Sequence, residues 1–90
     1  MNYEFRLVLA NRSEVSVDDA NALYQAGCDD ATFGSCDGVA FGDFDRDAPS
    51  LEQAIRSAIA DVRRAGLGVS RIENVEQMLI DGINSELSAA

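Results

Sequence analysis

A β-hairpin is predicted in residues 27–47, which read GCDDATFGSCDGVAFGDFDRD. Its first strand is expected at Ala31–Cys36 and its second at Val39–Phe44, with Asp37-Gly38 as the turn between them. Asp-Gly suits a two-residue turn of type I′, because both central residues of that turn take a positive φ. The rest of the fold is expected to form around this hairpin.

The turn also fixes the pairing of the two strands. Across Asp37-Gly38, Cys36 should lie opposite Val39, and Phe33 opposite Gly42. Alternate residues of a strand point to opposite faces of a sheet. We therefore expect two faces, one with Phe33, Ala40 and Phe44, and the other with Val39 and Phe41.

Acidic residues are concentrated in the same stretch. The chain of 90 residues has a net charge of −9, with sixteen acids, seven bases and no His. Nine of the acids fall in residues 14–47, where Arg46 is the single base. Such a charge argues against direct binding of nucleic acid and favours a basic partner. The acids of the hairpin and its approach are Asp29, Asp30, Asp37, Asp43, Asp45 and Asp47.

Two further segments precede the hairpin. Residues 3–9 alternate apolar and polar side chains, the pattern of a strand with one buried face. Ser16 with Asp19 three residues later predicts the start of a short helix, which should run to about Ala26 and end at Gly27. The side chains that this helix should bury are Val17, Ala20, Leu23 and Tyr24.

Three segments follow the hairpin. Ser50 with Gln53 predicts a helix start, and apolar residues then recur at helical spacing from Leu51 to Ala65. Residues 69–73 are predicted to form a short strand. Asn74 with Gln77 predicts a terminal helix, whose apolar residues are Val75, Met78, Leu79, Ile83 and Leu87.

The predicted order is β-α-β-β-α-β followed by one more helix. An α+β fold of the ferredoxin-like type satisfies this order, with an antiparallel sheet and the helices on one face. A chain of this length is expected to form a single domain over residues 1–90.

The composition disfavours several functions. Without His, and with Cys28 and Cys36 far apart along an extended chain, neither a zinc site nor a Cys–His nucleophile is expected. Asp43, Asp45 and Asp47 are spaced like the first ligands of a calcium loop, but Ala48 and Ala54 replace the glycine and the glutamate that such a loop needs. We expect no metal, no cofactor and no enzymatic activity. Without a membrane-spanning or signal segment, we expect a cytoplasmic protein with free thiols.

Two interpretations of the acidic hairpin remain. Asp43, Asp45 and Asp47 would project on one side about 7 Å apart, a row of charge that a DNA-binding groove would attract. Phe41 would add an apolar anchor beside them. The alternative is a solvated loop that is rich in Asp because Asp suits turns. An RNA-binding sheet is rejected, because Phe41 lacks the surrounding basic residues.

A resemblance is carried by six short segments: Leu23-Tyr24, AGCDDAT at 26–32, Gly38-Val39, DFDR at 43–46, Ser50-Leu51 and Ala54-Ile55. In these the chain resembles the N-terminal, ferredoxin-like domain of small bacterial DNA-binding proteins of the antitoxin or regulatory type. Those proteins continue into a helix-turn-helix. Only one predicted helix follows residue 73 here, so the DNA-binding role is not carried over.

In size, acidity and single-domain build the chain is also similar to anti-CRISPR proteins, in particular inhibitors of type I systems. This resemblance implies a phage- or mobile-element-encoded protein that binds the Cascade surveillance complex at the surface that receives DNA. The contacts would be Asp29, Asp30, Asp37, Phe41, Asp43, Asp45 and Asp47. The alternative is a stand-alone regulatory or dimerisation domain that pairs through Val39, Phe41, Leu79 and Ile83.

Overall fold

The structure, a computed structural model, describes residues 1–73 and contains four strands and two helices. The expected terminal helix, with Leu79 and Ile83, lies outside the described residues. The elements in chain order are β1 (Asn2–Ala10), α1 (Val17–Gln25), β2 (Ala31–Cys36), β3 (Val39–Asp47), α2 (Leu51–Arg64) and β4 (Gly68–Glu73).

The four strands form one antiparallel sheet in the order β2-β3-β1-β4. With two helices in a β-α-β-β-α-β order, this is an α+β fold with the strand order of the ferredoxin-like arrangement. The prediction of the fold class is confirmed. Strands β1 and β3 lie in the centre of the sheet, and β2 and β4 form its edges.

The hairpin forms with the predicted turn and register. Asp37 and Gly38 have φ angles of 53° and 75°, as a type I′ turn requires. Cys36 pairs with Val39, and Phe33 with Gly42. The second strand is longer than predicted, because β3 continues past Phe44 to Asp47 in its pairing with the start of β1.

The core lies between one face of the sheet and helix α2. The buried side of α2 is the predicted one, with Ser50 accepting a hydrogen bond from the backbone N–H of Gln53 at its start. The sheet contributes Phe5, Leu7, Leu9, Ala40, Phe44, Val69 and Ile72, and the helix contributes Ala54, Ile55, Ala58, Ile59 and Val62.

A β-bulge in β4 brings two residues three positions apart onto the core face. Leu7 pairs with Ile72 and Leu9 with Val69, so that Ser70 is an extra residue on the β4 side. A bulge of this kind leaves one residue without a cross-strand partner. The alternation of a regular strand would place Val69 and Ile72 on opposite faces, so the pattern of a regular strand does not predict that both are buried.

The prediction for the buried side of α1 was wrong in part. Leu23 is fully buried, but Ala20 is exposed, Val17 is 77% exposed and Tyr24 is 67% exposed. The more covered positions of the helix are Asp19, Ala22 and Leu23. Asp19 is partly covered because it completes the capping box with Ser16 and also pairs with Arg12.

Two phenylalanine rings of the hairpin lie across glycines of the paired strand, one on each face. On the core face, a Cβ added to Gly42 would lie 2.6 Å from the Phe33 ring. On the other face, a Cβ added to Gly34 would lie 3.2 Å from the Phe41 ring. Phe33 also packs edge-on against Phe44, with ring centroids 5.9 Å apart. The two glycines therefore make room for aromatic rings on a two-stranded ribbon.

We expect Gly42→Ala to destabilise the protein by about 1–3 kcal/mol, since the added methyl collides with the Phe33 ring and lies 3.1 Å from the buried Phe44 ring. Gly34→Ala should cost less, because the Phe41 ring faces away from the core. Urea denaturation of both variants checks this order. Equal losses would contradict the assignment of the two faces.

The two cysteines are free and differ in exposure. Cys28 is 2% exposed, and burial raises the pKa of its thiol. Cys36 is exposed at the end of β2. We expect a thiol reagent to modify Cys36 in the native protein and Cys28 only after denaturation, as mass spectrometry of the labelled peptides would reveal. The variant Cys36→Ala should show no rapid phase, and rapid labelling of Cys28 would contradict the packing of the loop before β2.

Candidate binding face

The sheet face opposite α2 carries a strip of carboxylates along β3 and β1. We call Glu4, Asp43, Asp45 and Asp47 the acidic strip. The odd-numbered residues of β3 point to this face, while Ala40, Gly42, Phe44 and Arg46 are buried on the other. Glu4 lies directly opposite Asp45, in the register of β1 with β3. The structure thus places the three aspartates in the row that the sequence predicted.

Asp43 is partly neutralised by Arg6. The guanidinium donates to both carboxylate oxygens, Nε to Oδ1 at 2.7 Å and a terminal nitrogen to Oδ2 at 3.0 Å. This hydrogen bonding raises the pKa of Arg6. The same guanidinium lies 3.8 Å above the centre of the Phe41 ring. Phe41 is therefore half-buried between Gly34 and Arg6 and does not project as a free anchor.

Glu4 and Asp45 have no such partner. Among residues 1–73, neither carboxylate makes an ion pair or a side-chain hydrogen bond, although like charges directly opposite each other destabilise a sheet. Both line a shallow depression of about 480 Å³, together with Thr32 and Asp43. Glu4 was missed by the sequence reasoning, because its position beside Asp45 depends on the β1–β3 register.

The other acids of the predicted site lie at different places. Asp47, at the end of the acidic strip, pairs with the amino group of Met1 at 2.9 Å. Asp37 lies in the hairpin turn and is exposed, and its carboxylate accepts a hydrogen bond from the Cys36 thiol at 3.8 Å. Asp29 is exposed just before β2.

Asp30 lies apart from these acids, on the helix side of the sheet. Its carboxylate accepts two hydrogen bonds from Arg46, at 2.7 and 3.0 Å. Arg46 is 8% exposed and also donates to the carbonyl of Gly27 and to the hydroxyl of Ser57. The structure therefore uses Asp30 in a partly buried ion pair and does not bring it together with the acidic strip.

The ion pair extends into helix α2. Asp61 contacts Arg46 at 3.0 Å and also pairs with Arg64, which donates to the carbonyl of Ala26 at 2.9 Å. Gly27, with a φ of 114°, lies so close that an added Cβ would be 2.9 Å from the Asp61 carboxylate. We call Asp30, Arg46, Asp61 and Arg64 the ion cluster. Its two acids and two bases balance, so the cluster carries no net formal charge.

The acidic strip offers negative charge and hydrogen-bond acceptors on an open sheet face. Within residues 1–73, no three Cys, Asp or Glu side chains are grouped to hold a metal ion. No helix in the same region is long and apolar enough to cross a membrane. Comparisons with protein families, with curated proteins and with solved structures find no match to this chain.

Arg46→Met should destabilise the protein by about 3 kcal/mol, because it leaves Asp30 and Asp61 without their shared cation in a partly buried site. The matched control is Arg6→Met, which breaks a similar two-bond pair on the open face and should cost about 1 kcal/mol or less. Urea denaturation at neutral pH measures both. A larger loss for the Arg6 variant would show that the open face, and not the ion cluster, holds the fold together.

Proposed function

We propose that this protein is a non-enzymatic binding protein whose acidic strip engages a basic, nucleic-acid-binding surface of a partner. The observation that carries the proposal concerns Glu4 and Asp45 in the middle of the strip. The two carboxylates lie opposite each other and have no cationic partner among residues 1–73. Two exposed carboxylates held face to face cost folding free energy, and a cation from a partner would remove that cost.

The shape of the face supports the same proposal. The odd-numbered residues of a strand are about 7 Å apart, so the strip presents charge at regular intervals on a rigid sheet. Arg6 pairs with Asp43 and the Met1 amino group with Asp47, at either side of Glu4 and Asp45. Regular charge on a fixed scaffold is what a groove shaped for a phosphate backbone would accept.

The specific case that we propose is an anti-CRISPR-like inhibitor encoded by a phage or mobile element. It would bind a type I Cascade complex in the bacterial cytoplasm and block the surface that receives DNA, as a DNA mimic. The proposal draws on the size and acidity of the chain and on the strip. Asp29 and Asp37 would extend the contact, while Phe41 would contribute only the ring edge that Arg6 leaves uncovered.

A second candidate is a stand-alone regulatory or dimerisation domain. It is favoured by an apolar patch beside the strip, where Val39 is 42% exposed and lies next to the half-buried Phe41. Two such patches could meet in a dimer. This candidate predicts the mass of a dimer in solution and the mass of a monomer for Val39→Asp. A monomeric inhibitor would have the monomer mass in both cases.

The test is displacement of a DNA duplex from a purified type I Cascade complex. The double variant Glu4→Gln/Asp45→Asn should compete about tenfold less well than the parent, the effect of losing about 1.4 kcal/mol of binding free energy. Its competition should also depend less on salt, because charge pairs at a surface are screened.

The matched control is Glu14→Gln/Asp18→Asn, which removes the same charge from exposed positions away from the strip. It should compete like the parent. Equal losses in both double variants would mean that net charge alone acts. A parent protein that displaces no duplex would overturn the inhibitor function.

A further inference from the structure

Strand β2 is an edge of the sheet whose outer backbone groups have no partner in residues 1–73. The register pairs Ala31 with Phe44, and one position further along the Asp45 N–H donates to the Asp30 carbonyl at 3.0 Å. In an antiparallel pair, hydrogen-bonded and non-bonded positions alternate along the strand. Residues 30, 32, 34 and 36 therefore bond to β3. The N–H and C=O groups of Ala31, Phe33 and Ser35 point to the free edge.

This edge lacks the features that usually prevent strand addition. Proteins protect edge strands with charged side chains, prolines or bulges. The six residues of β2 include no charge and no proline. The opposite edge, β4, has the bulge at Ser70 and the charged pair of Arg71 and Glu73. Within residues 1–73 the two edges of the sheet thus differ, and β2 lacks the protection that β4 has.

The charges beside this edge argue against a second copy as the added strand. A twofold antiparallel pairing that uses all three outer positions would be centred on Phe33, and would set Asp29 of one copy directly opposite Asp37 of the other. Like charges at directly opposed positions destabilise a sheet. The chain beyond Glu73 is a poor occupant as well, because it has three acids and no base.

We propose that β2 receives an extended segment of a partner protein, uncharged in its middle and basic at both ends. The middle would bond to the backbone of Ala31, Phe33 and Ser35, and each basic end would meet Asp29 or Asp37. This is recognition by β-strand addition, in which main-chain hydrogen bonds give affinity and flanking side chains give selectivity. The proposal does not depend on the acidic strip.

The experiment uses the nine-residue peptide RTVTSTVTR, which spans the distance from Asp29 to Asp37, and the matched peptide ETVTSTVTE. Each is titrated into the labelled protein while NMR follows the amide protons. The basic peptide should slow hydrogen exchange about tenfold or more at Ala31, Phe33 and Ser35 only. The acidic peptide should bind at least about tenfold more weakly.

The matched variants are Ser35→Pro, which removes one outer N–H from an exposed edge position, and Ser35→Ala, which keeps it. The proline variant should bind the basic peptide about five- to tenfold more weakly, and the alanine variant like the parent. Loss of the β3 amide signals would reveal a misfolded variant, in which case the exchange data on the parent decide.

Three results would overturn the proposal. The first is that the basic peptide does not bind, or protects amides elsewhere. The second is that both peptides bind equally well. The third is that the three outer amides are already protected in the free protein at the mass of a dimer, which would make a second copy the occupant.

Discussion

A buried guanidinium, that of Arg46, joins three parts of the molecule that are distant in sequence. It reaches from β3 to the loop before β2, through Asp30 and Gly27, and to α2 through Ser57 and Asp61. A buried cation is costly unless every donor is satisfied and the charge is matched. Arg46 meets both conditions, and its bonds tie the loop to the hairpin and the hairpin to the helix.

Strand β3 has two distinct faces. Its even-numbered residues contribute to the core and, through Arg46, to the ion cluster. Its odd-numbered residues contribute the three aspartates of the acidic strip. The rigidity of the first face fixes the geometry of the second, because both belong to the same backbone. A strip of like charges on a mobile loop would spread out to reduce repulsion. On β3 the pairing with β1 and β2 prevents that, and Asp45 stays opposite Glu4.

The hairpin, α2 and the alternation of Asp43, Asp45 and Asp47 were predictable because each depends on local rules. Asp-Gly sets the turn, capping and helical spacing set the helix, and the period of two sets the row. The separation of Asp29 from Asp30 was not predictable. Adjacent acids look alike in sequence, and only the position of Arg46 on the neighbouring strand decides which of them is paired and partly covered.

The sequence by itself determined the fold class and the place of the turn, since the elements and the turn follow from interactions between near neighbours. The acids are read directly from it. The tertiary structure decided three further features: the pairing of Glu4 with Asp45, the covering of Phe41 by Arg6, and the free edge of β2. Each depends on which strands lie side by side and in what register. The order and register of the strands are set by burial of the whole core, which no single segment determines.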